Sequence, residues 1–266
     1  MKQISVEKLR SMKSKGIPIV GLTAYDFSFA SMFDNAGIDI ALIGDSLGMV
    51  IQGHSTTLPV TLDEIIYHCK CVSRACERAL VIADLPFGAF ESSPQKAFDS
   101  AARVLGESGA NLVKIEGGEA IRDTVSFLSD RGIPVCGHLG LMPQSVNMLG
   151  GFRVQGRTDE VAQQLLRDAD ALDRSGLSLM VLEAIPTSLA ELITRSISSP
   201  TIGIGAGSGT DGQILILYDL LGIYPRKSPK FSKNFLHDAG SISEAIQLYA
   251  EAVRDKKFPE PDHSFD

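Results

Sequence analysis

Residues 111–118 read NLVKIEGG: a short apolar run that carries Lys114 in its middle, closes on Glu116 and breaks at two glycines. A helix-period segment precedes it, with Ser93 as a cap and Pro94 at the first helical position. Upstream lie IPIVGLTA (17–24), DIALIGD (39–45) and ALVIAD (79–84). Downstream lie IPVCGHLG (133–140), LSLMVLEA (177–184) and PTIGIGAG (200–207). Runs apolar on both faces suit parallel strands covered by helices. Between them come helical patterns, one capped by Asp26 and another running from about Thr61 to Arg78. Strands that recur between helices are βαβ units. Seven such runs, with no GxGxxG after the first, favour an α/β fold of the (β/α)8 TIM-barrel type over a doubly wound dinucleotide-binding sheet.

The eighth strand is ambiguous. GQILILYDLLG (212–222) reads either as that strand or as a helix capped by Asp211 and stopped at Gly222. The short gap after Gly205 favours the helix, because a parallel crossover ordinarily takes a dozen or more residues. Two connections, 46–60 and 139–157, are too long for plain barrel loops and would emerge on the carboxyl-terminal face, where barrel active sites sit. The expectation is one domain over residues 1–266, with a loose polar tail from about 254.

With 266 residues, 44% hydrophobic and 21% charged, the chain can bury one sizeable core and lies outside the composition of disorder. A net charge of −7 argues against a nucleic-acid partner. The apolar runs fall short of the roughly 18 residues a membrane helix needs, so no membrane partner is expected. Four cysteines without a CxxC make no disulfide framework and read as buried reduced thiols. MKQISVEKLRSMKSKG at the N-terminus has no apolar signal core, so the expected address is cytoplasmic.

The carboxylates fall at the ends of the runs. Asp45, Asp84, Glu116 and Glu183 each close one, and Lys114 shares a strand face with Glu116 by the period of two. Any one of them alone reads as a cap for the next helix. Together, in a barrel, they converge at one mouth. Four carboxylates and one lysine sum to −3, which cannot persist in a confined site without protons or a cation. An oxygen ligand set without zinc-spaced Cys or His points to a hard divalent ion, Mg²⁺ first. Such an ion polarises a carbonyl, and a leftover carboxylate such as Glu183 could then take the α-proton, which is enolate chemistry. His138 reads as a hydrogen-bonded structural residue or a base. GIGAGSG (203–209) reads as a tight turn or a phosphate cradle.

The same residues carry a resemblance. LTAYD (22–26), IGDSLGMV (43–50), DLPFGAF (84–90), VKIEGG (113–118), GHLGLMPQS (137–145), VLEAIP (181–186), IGIGAG (202–207) with DGQ (211–213), and PKFSKNF (229–235) run in order along most of the chain. In these segments the sequence resembles the ketopantoate hydroxymethyltransferases. The resemblance implies a Mg²⁺-dependent barrel, one ion per subunit. It implies transfer of a hydroxymethyl group from 5,10-methylenetetrahydrofolate to 3-methyl-2-oxobutanoate, giving 2-dehydropantoate in pantothenate biosynthesis through a Mg²⁺-stabilised enolate. By motif, Asp45, Asp84 and Glu116 would hold the metal. Asp45, Ser46, Asp84 and Lys114 would bind the keto acid, and Glu183 would accept the proton. A homo-oligomer, often a decamer, is implied as well. A carbon–carbon or carbon–phosphorus lyase on a similar barrel would need a nucleophile loop, often with a reactive Cys, after the fourth strand; none is visible. A non-catalytic oxoacid binder would bind without turnover.

Overall fold

Eight short parallel strands pair edge to edge until the last meets the first: β1 Ile19–Thr23, β2 Ile40–Ile43, β3 Leu80–Asp84, β4 Leu112–Glu116, β5 Val135–Gly140, β6 Leu179–Glu183, β7 Thr201–Ile204 and β8 Gly212–Leu215. The computed structural model describes residues 3–266, so the first two residues of the expected domain lie outside the described residues. Every strand residue is buried except Glu183 at the end of β6, which is partly open. That is the signature of strands packed on both faces, and the closed parallel barrel confirms the (β/α)8 expectation.

The helices are α1 Val6–Ser14, α2 Phe27–Ala36, α3 Leu47–Val50, α4 Leu62–Ser73, α5 Pro94–Ser108, α6 Arg122–Ser129, α7 Val146–Leu149, α8 Asp159–Arg174, α9 Thr187–Ser196, α10 Leu217–Leu220 and α11 Ile242–Arg254. Their starts follow the cap chemistry in the sequence. Asp26 accepts from the Phe29 N–H, and Ser93 accepts from the Lys96 N–H with Pro94 behind it. Thr61 and Glu64 close a reciprocal capping box. α4 stops at Ser73, short of the expected Arg78, because the Asp34 carboxylate takes the backbone N–H groups of Glu77, Arg78 and Ala79. α1 closes the amino-terminal end of the barrel. Its Lys13 ammonium donates to Asp211 and Arg10 donates to the Leu177 carbonyl, both partners lying just before strands.

Residues 212–222 resolve into both alternatives, strand β8 followed by the short helix α10. A helix-free return from β7 is possible because of register. Gly212 pairs with Ile202, so the chain climbs back only about two residues, roughly 7 Å, before pairing again. Gly207 makes the turn: its φ is +71°, and a Cβ there would fall 2.4 Å from the Thr187 side chain. The GIGAGSG segment is thus a tight turn packed on α9.

The segment after Arg254 is not a loose tail. Phe258 is buried, the Phe265 carbonyl accepts from Thr187 N–H at 2.9 Å, and the Ser264 carbonyl accepts from Lys230 at 2.7 Å. Its two phenylalanines, not its polar residues, decide where it goes. The long loops lie where expected. Residues 46–60 open with α3 after β2, and 139–157 contain α7 after β5. Arg226 bridges to the first of them by donating to the Gly53 and His54 carbonyls.

Candidate active site

Strand register places the charges. Asp84 on β3 pairs with Lys114 on β4, and Glu116 on β4 pairs with His138 on β5. The Lys114 ammonium stands 3.0 Å from Asp84 Oδ1 and 3.9 Å from Glu116 Oε1. The Asp45 backbone N–H donates to Asp84 Oδ2 at 3.0 Å, which seats the Asp45 loop directly on β3. Asp45, Asp84, Lys114 and Glu116 are all buried, between 2% and 6% exposed, so none has bulk water to screen it. The four therefore come together as the sequence suggests, and Glu183 joins them through His138.

His138 is a site residue whose role the sequence left open. Its Nδ1 lies 3.2 Å from Glu116 Oε1 and its Nε2 lies 3.3 Å from Glu183 Oε2, so the ring stands between two carboxylates. Burial and the Lys114 charge push its pKa down, but Glu116 and Glu183 outweigh them and carry it up to about 9. Gln144, from the loop after β5, is a second addition. Its side-chain amide donates to Asp45 Oδ2 at 2.9 Å and its backbone N–H donates to Glu116 Oε2 at 3.0 Å. It sits inside the GHLGLMPQS motif, which is the signal that could have found it. Tyr25, at the end of the first apolar run, buries a hydroxyl that has no partner among the described residues.

The electrostatics are unbalanced. Burial, then Asp84 and Glu116, drive the Asp45 carboxyl well above the usual range despite Lys114 and Gln144. Burial pushes the Glu116 carboxyl up, but His138 and Lys114 overcome it and hold it low. Burial disfavours the Lys114 ammonium, yet Asp84, Glu116 and Asp45 together raise its pKa above the ordinary value. As placed, no three of the described His, Cys, Asp and Glu side chains form a ready metal cage. The donor chemistry nevertheless fits a hard dication. Asp45 and Asp84 are neighbouring buried carboxylates, and Asp84 Oδ1 and Glu116 Oε1, although beside Lys114 and His138, lack a well-directed hydrogen bond. Mg²⁺ ordinarily takes one or two protein carboxylates and completes its shell with water and substrate oxygens.

A cavity of about 670 Å³ reaches the edge of this cluster, where Ser46, next to Asp45, and Glu183 border it. Ser46 stands at the start of α3 and its side chain does not cap that helix. Cys136 on β5 is buried, and burial pushes its thiol up to about 12, so it is no nucleophile. No helix among the described residues is long and apolar enough to cross a membrane.

Comparison with known proteins shows what the chain is similar to. The family model described as ketopantoate hydroxymethyltransferase matches residues 3–261. The chain is 54% identical over 262 residues to the 3-methyl-2-oxobutanoate hydroxymethyltransferase of Thiobacillus denitrificans, covering 98% of this chain and 99% of that one. It is 52% identical over 265 residues to the enzyme of the same name from Magnetococcus marinus, covering 100% and 99%. Among solved structures, phosphonopyruvate hydrolase superposes with a TM-score of 0.62 at 12% identity over 84% of each chain. A phosphoenolpyruvate phosphomutase from Streptomyces platensis subsp. rosaceus gives 0.61 at 12% identity, over 82% of this chain and 83% of that one. At such identity these two share the fold alone.

Proposed function

Because the chain belongs to the ketopantoate hydroxymethyltransferase family, we propose that it transfers a hydroxymethyl group from 5,10-methylenetetrahydrofolate to 3-methyl-2-oxobutanoate, giving 2-dehydropantoate for pantothenate biosynthesis. It is a transferase. The observation that carries the reading is the placement of Glu183. It is the one partly open carboxylate of the five-residue cluster formed with Asp45, Asp84, Lys114 and Glu116, and it borders the cavity.

Asp45, Asp84 and Glu116 would hold one Mg²⁺ per subunit. Bound there, Mg²⁺ would supply a Lewis acid to the oxygens of the keto acid. Ser46 and Lys114 bind and orient the keto acid alongside Asp45 and Asp84. Lys114 offsets the negative charge that grows on the keto acid as its C3 proton leaves, a stabilisation aimed at the transition state. Glu183 removes that proton, and C3 bonds to the methylene carbon. That carbon's bonds to the folate nitrogens break and one water supplies its hydroxyl oxygen, so the keto acid, 5,10-methylenetetrahydrofolate and water give 2-dehydropantoate and tetrahydrofolate. His138 stands beside the Glu183 carboxylate as a charge partner 3.3 Å away, and Gln144 fixes Asp45 and Glu116. The long loops at 46–60 and 139–157 both border the cavity and would restrict bulk water there while admitting the one water that the transfer consumes.

Product formation from the two substrates, followed by mass spectrometry with and without Mg²⁺, tests the proposal. Formation of 2-dehydropantoate only with metal supports it; keto-acid binding without turnover would overturn it. Assembly as a homo-oligomer, a decamer by the resemblance, and a cytoplasmic address belong to the same proposal. Light scattering of the purified protein reads the first.

A further inference from the structure

Asp219 sits on α10, just beyond β8, and the reaction scheme above gives it nothing to do. It is 4% exposed, yet its Oδ1 has no hydrogen-bond partner among the described residues. It borders the cavity of about 670 Å³ that Glu183 and Ser46 also border. The Ser228 hydroxyl serves the carboxylate, but a buried carboxylate oxygen left without a donor is costly unless a ligand supplies one. Burial pushes its pKa up to about 6 against the Ser228 hydroxyl, so near neutrality it is an anion with Oδ1 unpaired.

The keto acid cannot be that partner. It carries its own carboxylate and offers no N–H donor. A 2-aminopyrimidinone edge can, because an amino group and a ring N–H stand side by side on it, and a carboxylate accepts two parallel N–H bonds. The rest of the cavity suits a flat heterocycle with an anionic tail. Phe231 and Phe265 pack edge to face at 6.5 Å, Tyr224 turns a buried and unpartnered hydroxyl inward, and Arg153 and Lys227 stand exposed at the rim.

Resting on the proposed reaction, we infer that Asp219 is the specificity residue for the one-carbon carrier, its carboxylate accepting the 2-amino and ring N–H donors of the pterin while the carrier's reactive end faces Glu183. A site built to pair N–H groups rejects an analogue that lacks one, because the carboxylate is then left unpaired.

The test compares the affinity of the intact protein for tetrahydrofolate and for its 2-desamino analogue by equilibrium dialysis near pH 7.5. Wild-type protein should bind tetrahydrofolate about 10- to 100-fold more tightly than the analogue, the range of a charged hydrogen bond. Asp219→Asn should bind tetrahydrofolate that much more weakly and should not discriminate between the two. Equal wild-type affinities, or tetrahydrofolate affinity retained by Asp219→Asn, would overturn the assignment. The wild-type comparison needs no variant, so it decides even where the substitution impairs folding. Exchange of the C3 hydrogen of 3-methyl-2-oxobutanoate, which needs no carrier, separates the two readings. Exchange without pterin discrimination overturns the Asp219 assignment alone, and discrimination without exchange overturns the reaction scheme alone.

Discussion

His138 Nε2 lies 3.3 Å from Glu183 Oε2, while Nδ1 of the same ring lies 3.2 Å from Glu116 Oε1. One imidazolium therefore ties the carboxylate proposed as base to a carboxylate proposed for the metal. Charge changes at either end are felt by the other, because the ring is buried and unscreened by water.

This tie should show in stability against pH. The His138 pKa is raised from 6.5 to about 9, so the folded state binds its proton more tightly. The stabilisation is fully present below about 6.5 and is lost as pH rises through about 9. It amounts to roughly 3 kcal/mol. His138→Gln should thus be clearly less stable than wild type at pH 6 in urea melts, with the gap closing above pH 9. A gap independent of pH would mean that His138 is neutral in the folded protein.

Lys114 is surrounded by Asp84, Glu116 and Asp45, and its removal leaves buried carboxylates unpaired. Lys114→Ala should raise the keto-acid KM, lower kcat and destabilise the fold by about 3–5 kcal/mol. Lys114→Arg should not restore kcat, since a planar fork replaces a compact point charge. Unchanged kinetic constants in Lys114→Ala would make the lysine purely structural.

Chelation should abolish turnover and added Mg²⁺ should restore it, because Asp45, Asp84 and Glu116 otherwise crowd buried negative charge. Asp84→Asn should weaken Mg²⁺ binding in calorimetry while circular dichroism stays native. Full activity of protein shown metal-free by elemental analysis would remove the metal from the scheme.

Asp219 should cost stability in the absence of ligand. Its pKa is raised from 3.8 to about 6, so its favourable contribution is complete below about 3.8 and lost as pH rises through about 6. Asp219→Asn should therefore melt higher than wild type at pH 7, by up to roughly 3 kcal/mol, and match it near pH 3.5. A lower melting point at pH 7 would show that the Ser228 hydroxyl outweighs the cost of burying the charge. Stability exchanged for binding is a common pattern at ligand sites.

Much of this was legible in the chain because strand ends announce themselves. Asp84, Glu116 and Glu183 close apolar runs, and the period of two already put Lys114 beside Glu116. His138 stood out as a candidate, but its role was not legible, because a lone histidine in CGHLG gains meaning only when register sets it opposite Glu116. Gln144 was hidden for a different reason: it reaches Asp45 from a loop 99 residues away, and no local pattern encodes that. β8 was ambiguous because a two-residue stagger, invisible in sequence, replaces the usual crossover helix. The tail was misread because its polar composition outweighed Phe258 and Phe265, the residues that dock it.

The proton transfer itself is the most direct point of attack. In D₂O with Mg²⁺ and no folate, the protein should exchange deuterium into C3 of 3-methyl-2-oxobutanoate, a reaction readily followed by proton NMR. Glu183→Gln keeps the side-chain shape but cannot accept the proton, so exchange should fall by roughly 10²–10⁴. Keto-acid and Mg²⁺ binding should survive, since Asp45, Asp84 and Glu116 remain. Exchange at the wild-type rate in Glu183→Gln, with Mg²⁺ affinity unchanged, would contradict Glu183 as the base and move that role to another group, His138 first.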